Sequence, residues 1–112
     1  MYKVFVTQSF EKSCAKRLSL EELHKLKRLQ QTYLPVNPYI GDPLGFTFFR
    51  EKRLGGKRVY YLIYEDLSAV YLVDISDKKD QQETINRIKN ALPDLYIEIH
   101  NAFTQHDERD RT

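Results

Sequence analysis

The sequence predicts a small α+β domain of order β-α-α-β-β-β-α, a mainly antiparallel sheet packed by N-terminal helices and a C-terminal helix. Three observations predict it. A β-branched and aromatic run at the N-terminus precedes two helical patterns. Three apolar runs divided by turn signals follow, and a helical period returns after residue 77. Helices segregated from a run of consecutive strands define the α+β class. At 112 residues and 41% hydrophobic content the chain fits one domain around one core. The domain is expected to span 1–100, with 101–112 a polar C-terminal tail.

"YKVFVT" (2–7) reads as the first strand. Phe10, Cys14 and Leu18 recur at helical spacing, which predicts a short helix near 9–16 with Ser9 or Ser13 as its cap. In "SLEELHKLKRLQQTYL" (19–34), Ser19 and Glu22 fit a capping box, each satisfying a free backbone N–H of the other. Leu20, Leu23, Leu26, Leu29 and Tyr33 form its apolar stripe, and Pro35 ends it. "PVNPYIGDPLG" (35–45) is a loop by its prolines and glycines. The runs 46–53, 57–64 and 69–75 predict a three-strand meander, with Gly55-Gly56 as a type I′ turn. "DKKDQQETINRIKNAL" predicts a helix capped near Asp77 or Asp80, with Ile85, Ile88, Ala91 and Leu92 inward and Pro93 as its stop. "LYIEI" (95–99) alternates, which suggests a short strand or an extended tail.

Composition excludes several classes. The lone Cys14 rules out an internal disulfide and a cysteine zinc cluster. No apolar run approaches the roughly 18 residues of a membrane span. The N-terminus reads as a strand entering the fold rather than a signal peptide, so a cytoplasmic protein without a membrane partner is expected. No phosphate loop, catalytic triad or dinucleotide fingerprint is present. His24, His100 and His106 lack metal-ligand spacing, and no cofactor is expected.

Net charge is only +2, but its distribution is uneven. Arg50, Lys52, Arg53, Lys57 and Arg58 crowd one hairpin against Glu51 alone. With Gly55-Gly56 as the turn, Leu54 faces Lys57, Arg53 faces Arg58, Lys52 faces Val59 and Glu51 faces Tyr60. Alternation then puts Phe49, Glu51, Arg53, Arg58, Tyr60, Leu62 and Tyr64 on one face. Phe46, Phe48, Arg50, Lys52, Val59, Tyr61 and Ile63 take the other. Like charges directly opposite repel. The Arg53/Arg58 pair is tolerable if Glu51 bridges it or an anion sits there, and an arginine fork suits a phosphate. The alternative is that hairpin cations only keep a sheet edge from aggregating.

The order of elements and "GDPLGFTFFREKRLGGKRVYYLIY...AVYLVDI" resemble the RelE/ParE toxin superfamily over about residues 2–90. The matching pieces are Gly41, Pro43 and Leu44, then Arg58, Val59 and Tyr60 after the glycine turn. The resemblance implies a type II toxin whose RelE branch cuts mRNA in the ribosomal A site without a metal. There the RNA 2′-OH attacks the adjacent phosphate and basic side chains stabilise the transition state. By position, Arg58 is the phosphate clamp, with Arg53, Lys52, Arg50 and Lys79 as further catalytic cations. Lys57, Lys78 and Tyr60 are expected to bind substrate. Thr84 and Ile85 stand where many members carry a catalytic tyrosine. His100 is the candidate replacement, and Glu51 a possible base or a structural counter-ion. The implied partners are a cognate antitoxin and ribosome-bound mRNA, with the oligomeric state left open. The alternatives are a ParE-like gyrase poison or a toxin-fold protein that binds without catalysis.

Overall fold

A computed structural model describes the backbone of residues 1–111 and the side chains of residues 1–104. Five strands form one sheet: β1 (Lys3–Val6), β2 (Asp42–Pro43), β3 (Phe49–Leu54), β4 (Lys57–Tyr64) and β5 (Ala69–Ser76). Their spatial order is β1-β5-β4-β3-β2. Only β1 runs parallel to its neighbour, β5; the other pairs are antiparallel. The helices are α1 (Gln8–Arg17), α2 (Leu20–Arg28), α3 (Gln81–Asn90) and α4 (Leu92–Arg111). The expected α+β class is the observed one.

The sheet separates two apolar layers. Val59, Tyr61 and Ile63 of β4 pack with Phe10 and Cys14 of α1 and Leu26 of α2. Tyr60, Leu62 and Tyr64 pack with Ile85 and Ile88 of α3 and Ile99 of α4. Strict alternation along β4 therefore serves both layers, which explains why this strand reads as a continuous apolar run. Burial pushes the Cys14 thiol up to about 11, as suits an inert core cysteine.

Several expectations are corrected. Thr7 caps α1, its side-chain oxygen accepting from Phe10 N–H at 3.0 Å, because β1 ends at Val6 and leaves Thr7 as the last extended residue. The Ser19/Glu22 capping box of α2 is present in both directions. α2 continues as a π-turn over Leu29–Tyr33, and this wider turn leaves Tyr33 exposed; Leu20, in the first turn, is 72% exposed. At the hairpin only Gly55 has positive φ (+66°), the pattern of a II′ rather than a I′ turn. β3 begins at Phe49; Phe46 and Phe48 precede it, exposed and stacked on each other at 5.0 Å.

"LYIEI" is neither strand nor extended tail but part of α4. Leu92, Leu95 and Ile99 recur at i, i+3, i+7 and pack on the α3 layer. Pro93 lies in the first turn of α4, where a missing N–H costs nothing, instead of only ending α3. The expected boundary at residue 100 falls within α4, and side chains beyond Thr104 lie outside the described residues. No helix among the described residues is long and apolar enough to cross a membrane.

One irregularity positions the site. Tyr60 pairs with Asp74 and Tyr61 with Leu72, so Val73 is an extra residue in β5. Before this bulge Tyr71 and Val73 face α3; after it Ile75 faces α1 and α2. Asp74 and Ser76 are thereby turned to the α3 side, where Arg87 reaches Asp74 at 2.9 Å.

Candidate functional site

The hairpin register is the one the sequence predicts: Arg53↔Arg58, Lys52↔Val59 and Glu51↔Tyr60. It brings Arg58 and Glu51 together on the α3 face, both buried, at 6% and 8% exposure. Arg58 Nε lies 3.4 Å from Glu51 Oε1. That geometry is an ion pair without a hydrogen bond, and the buried Nε–H has no acceptor. Gln81, in the first turn of α3, donates from Nε2 to the same Glu51 oxygen at 2.6 Å. Beside them Tyr60 and Ser76 share a hydrogen bond of 2.7 Å. Burial, with the Glu51 carboxylate adding to it, pushes the Tyr60 phenol up to about 12, so it is protonated at neutral pH.

The other expected residues divide by face. Arg53 is exposed at the rim, opposite Arg58. Lys78 and Lys79 are exposed in the turn running from Ser76, paired with Arg58, to Gln81, bonded to Glu51. That turn flanks the Arg58–Glu51 pair. Tyr60 lies beside the Arg58–Glu51 pair but is fully buried, so it offers no surface to a substrate, which corrects its expected binding role.

Arg50 does not belong to the cluster. It points to the opposite face, donates to the Gly41 and Thr47 carbonyls at 2.9 and 2.8 Å, and lies 5.2 Å over the Tyr39 ring. It fastens the loop before β3. Lys57 also faces away, bonded to Asp77 at 2.7 Å, and Arg17 reaches the same carboxylate at 3.2 Å. These cations hold the Asp77 carboxyl below its usual range, Lys57 contributing most. Lys52 follows the same alternation toward the α2 side.

His100 is on α4, bonded through Nε2 to Asp66 at 3.1 Å, with its ring tilted against that of Tyr96 at 3.9 Å between centroids. Its other ring neighbour is Tyr64, at the far end of β4. At about 3.3 Å per strand residue that end is roughly 20 Å from Arg58. His100 is therefore not brought to the arginine pocket, contrary to its expected catalytic place. Sequence reasoning missed Gln81 and Ser76. The turn register that located Glu51 stops at β4, and the Val73 bulge hides which β5 residues share its face. Among the described residues no group of three or more His, Cys, Asp or Glu is arranged to hold a metal.

No protein-family model matches the chain, and neither does any curated protein. Solved structures do. The RelBE2 toxin–antitoxin complex of Mycobacterium tuberculosis matches with a TM-score of 0.60 and 21% identity, over 69% of this chain and 98% of that one. The isolated Escherichia coli RelE toxin matches at 0.59 and 17%, over 79% and 99%. The RelE–RelB complex of Pyrococcus horikoshii matches at 0.52 and 18%, over 69% and 94%. The likeness at these identities is one of architecture: the chain has the RelE toxin fold.

Proposed function

We propose that the protein is the toxin of a toxin–antitoxin pair and cleaves mRNA on the ribosome, with the sheet and helices covered by an antitoxin in the inactive state. One observation carries this reading. Arg58 is a buried guanidinium whose Nε–H has no acceptor, held on the face of the sheet by Glu51. That Nε is closed to solvent, so a phosphodiester would meet the slightly exposed part of the guanidinium, held in place by Glu51, and gain charge-assisted hydrogen bonds there. The RNA 2′-oxygen attacks the adjacent phosphorus and the P–O5′ bond breaks. Products are a 2′,3′-cyclic phosphate and a 5′-hydroxyl. Arg58, with Arg53, Lys78 and Lys79 at the rim, answers the charge gained by the phosphoryl oxygens. Glu51 is the carboxylate at hand to accept the 2′-OH proton, and the protonated Glu51 or a water gives a proton to the departing 5′-oxygen.

A second reading has its own support. The Arg58 charge is already answered by Glu51, and His100 stands far away. Both features suit a toxin that acts by binding alone, such as a gyrase poison or a catalytically silent member. Primer extension on mRNA under translation with purified protein decides. Codon-phased cuts that fall about 10²-fold or more in Arg58→Ala support cleavage. Gyrase poisoning with intact mRNA, or no effect in either assay, overturns it.

A further inference from the structure

A second cationic group lies where α2 crosses the edge of β3. Lys25, Arg28, Lys52 and Arg53 surround a cavity of about 140 Å³ whose floor is Leu29 and Leu54. Little neutralises them. Among the described residues Lys25 pairs with Glu21 at 3.7 Å, an exposed contact of small worth. Arg28 donates to the Tyr33 hydroxyl at 2.7 Å and lies over its ring. Lys52 and Arg53 make no ion pair or hydrogen bond among the described residues. The nearby Glu22 carboxylate accepts from the Ser19 backbone N–H through Oε1 at 2.9 Å and answers part of the Lys25 charge through its other oxygen. β2 pairs only with Glu51 and Arg50, so the outer edge of β3 is open from Lys52 onward.

We propose that this seam is a nucleic-acid site that grips the phosphates of an RNA strand, apart from the Arg58 pocket. Four like charges around one small cavity repel, and an anion relieves them. The form of the surface selects RNA over an acidic peptide. Tyr33 is 43% exposed beside Arg28 and offers a ring for a base. An adjoining hollow of about 360 Å³ adds His24, Lys27, Gln31 and Thr32, all able to donate to phosphate or sugar. The row from His24 to Tyr33 runs about 14 Å at 1.5 Å per residue, enough for two or three successive phosphates. The Leu29 and Leu54 floor is apolar, but the cavity above it is small, about 140 Å³, and rimmed by four cations. Lys52, expected as a catalytic cation, belongs to this seam.

The proposal goes beyond the cleavage reading, and its test avoids cleavage. Fluorescence anisotropy of the full chain with a 2′-O-methyl RNA oligonucleotide, titrated with salt, measures binding alone. Each strand phosphate contact contributes about 0.7 to the slope of log K against log salt. Lys25→Ala/Arg28→Ala should lower the slope by about 1.4 and weaken binding roughly tenfold or more at low salt. Lys25→Arg/Arg28→Lys should restore both. An unchanged slope in the alanine pair overturns the proposal. So does a polyglutamate peptide that binds as tightly and is lost equally, which marks a site for acidic protein. Failure of mRNA cutting with this binding intact removes only the cleavage reading.

Discussion

Glu51→Ala tests what holds Arg58 in place. The two side chains are 8% and 10% exposed, and their contact is a single 3.4 Å approach. Removing Glu51 leaves a buried guanidinium with no counter-ion and takes the acceptor from Gln81 Nε2. Breaking a buried pair by deleting one partner costs about 3–5 kcal/mol. The long contact and the slight exposure of Arg58 place this case at the low end, about 3 kcal/mol, or roughly 12 °C in Tm. Glu51→Leu/Arg58→Leu removes both charges and fills the space with apolar groups, so it should lie within about 1 kcal/mol of the parent. Urea unfolding of the parent, both single leucine variants, the alanine variant and the double variant gives the comparison. Glu51→Ala within about 0.5 kcal/mol of the parent, or a double variant as unstable as the sum of its singles, refutes the argument.

Gly41→Ala should cost about 1–3 kcal/mol by overpacking, read as a lower urea midpoint, because its Cβ would sit 2.6 Å from the Tyr61 hydroxyl and 2.7 Å from the Glu51 carbonyl oxygen. Ser19→Ala removes one half of the capping box and should cost about 1 kcal/mol without altering RNA binding by more than twofold, read by thermal melting and anisotropy. Asp77, whose folded pKa is lowered chiefly by Lys57, adds stability that is complete above its unfolded value and lost as pH falls through the folded one. Asp77→Asn should therefore flatten the loss of stability below about pH 4, measured by melting at successive pH values. Deleting Val73 makes Leu72 and Asp74 consecutive opposite Tyr61 and Tyr60, so it removes the bulge, keeps Ile75 in the α1/α2 layer, and should cost about 1.5–3 kcal/mol by melting, the worth of the buried Val73 side chain.

The parts legible in the sequence are those fixed locally. Gly55-Gly56 sets a two-residue turn, and the turn sets every pair from Leu54↔Lys57 back to Glu51↔Tyr60. The same alternation put Arg50 and Lys52 on the face away from Arg58, which the structure bears out. Grouping those cations into one catalytic set followed the resemblance and not the pleat. Residues 95–99, expected as a strand or extended tail, belong to α4; five alternating residues fit both a strand and a helix. The longer repeat of Leu92, Leu95 and Ile99 decides for the helix. Gln81 was not legible, since its reach to Glu51 depends on where α3 docks.

Alternation also explains how one short hairpin serves two purposes. Neighbouring residues of β3 point to opposite faces, so Glu51 enters the Arg58 pocket while Lys52 turns to α2. Arg53 is on the pocket side by parity, but it is exposed at the open edge and reaches the seam cavity as well. It is the one cation common to both regions. An RNA strand crossing the β3 edge would therefore pass from the α2 row over Arg53 to Arg58 without leaving positive charge. Arg53→Ala should then weaken 2′-O-methyl RNA binding and slow cutting of translated mRNA together, whereas Lys27→Ala should move binding first. If Arg53→Ala changes only one of the two, the strand does not take that path.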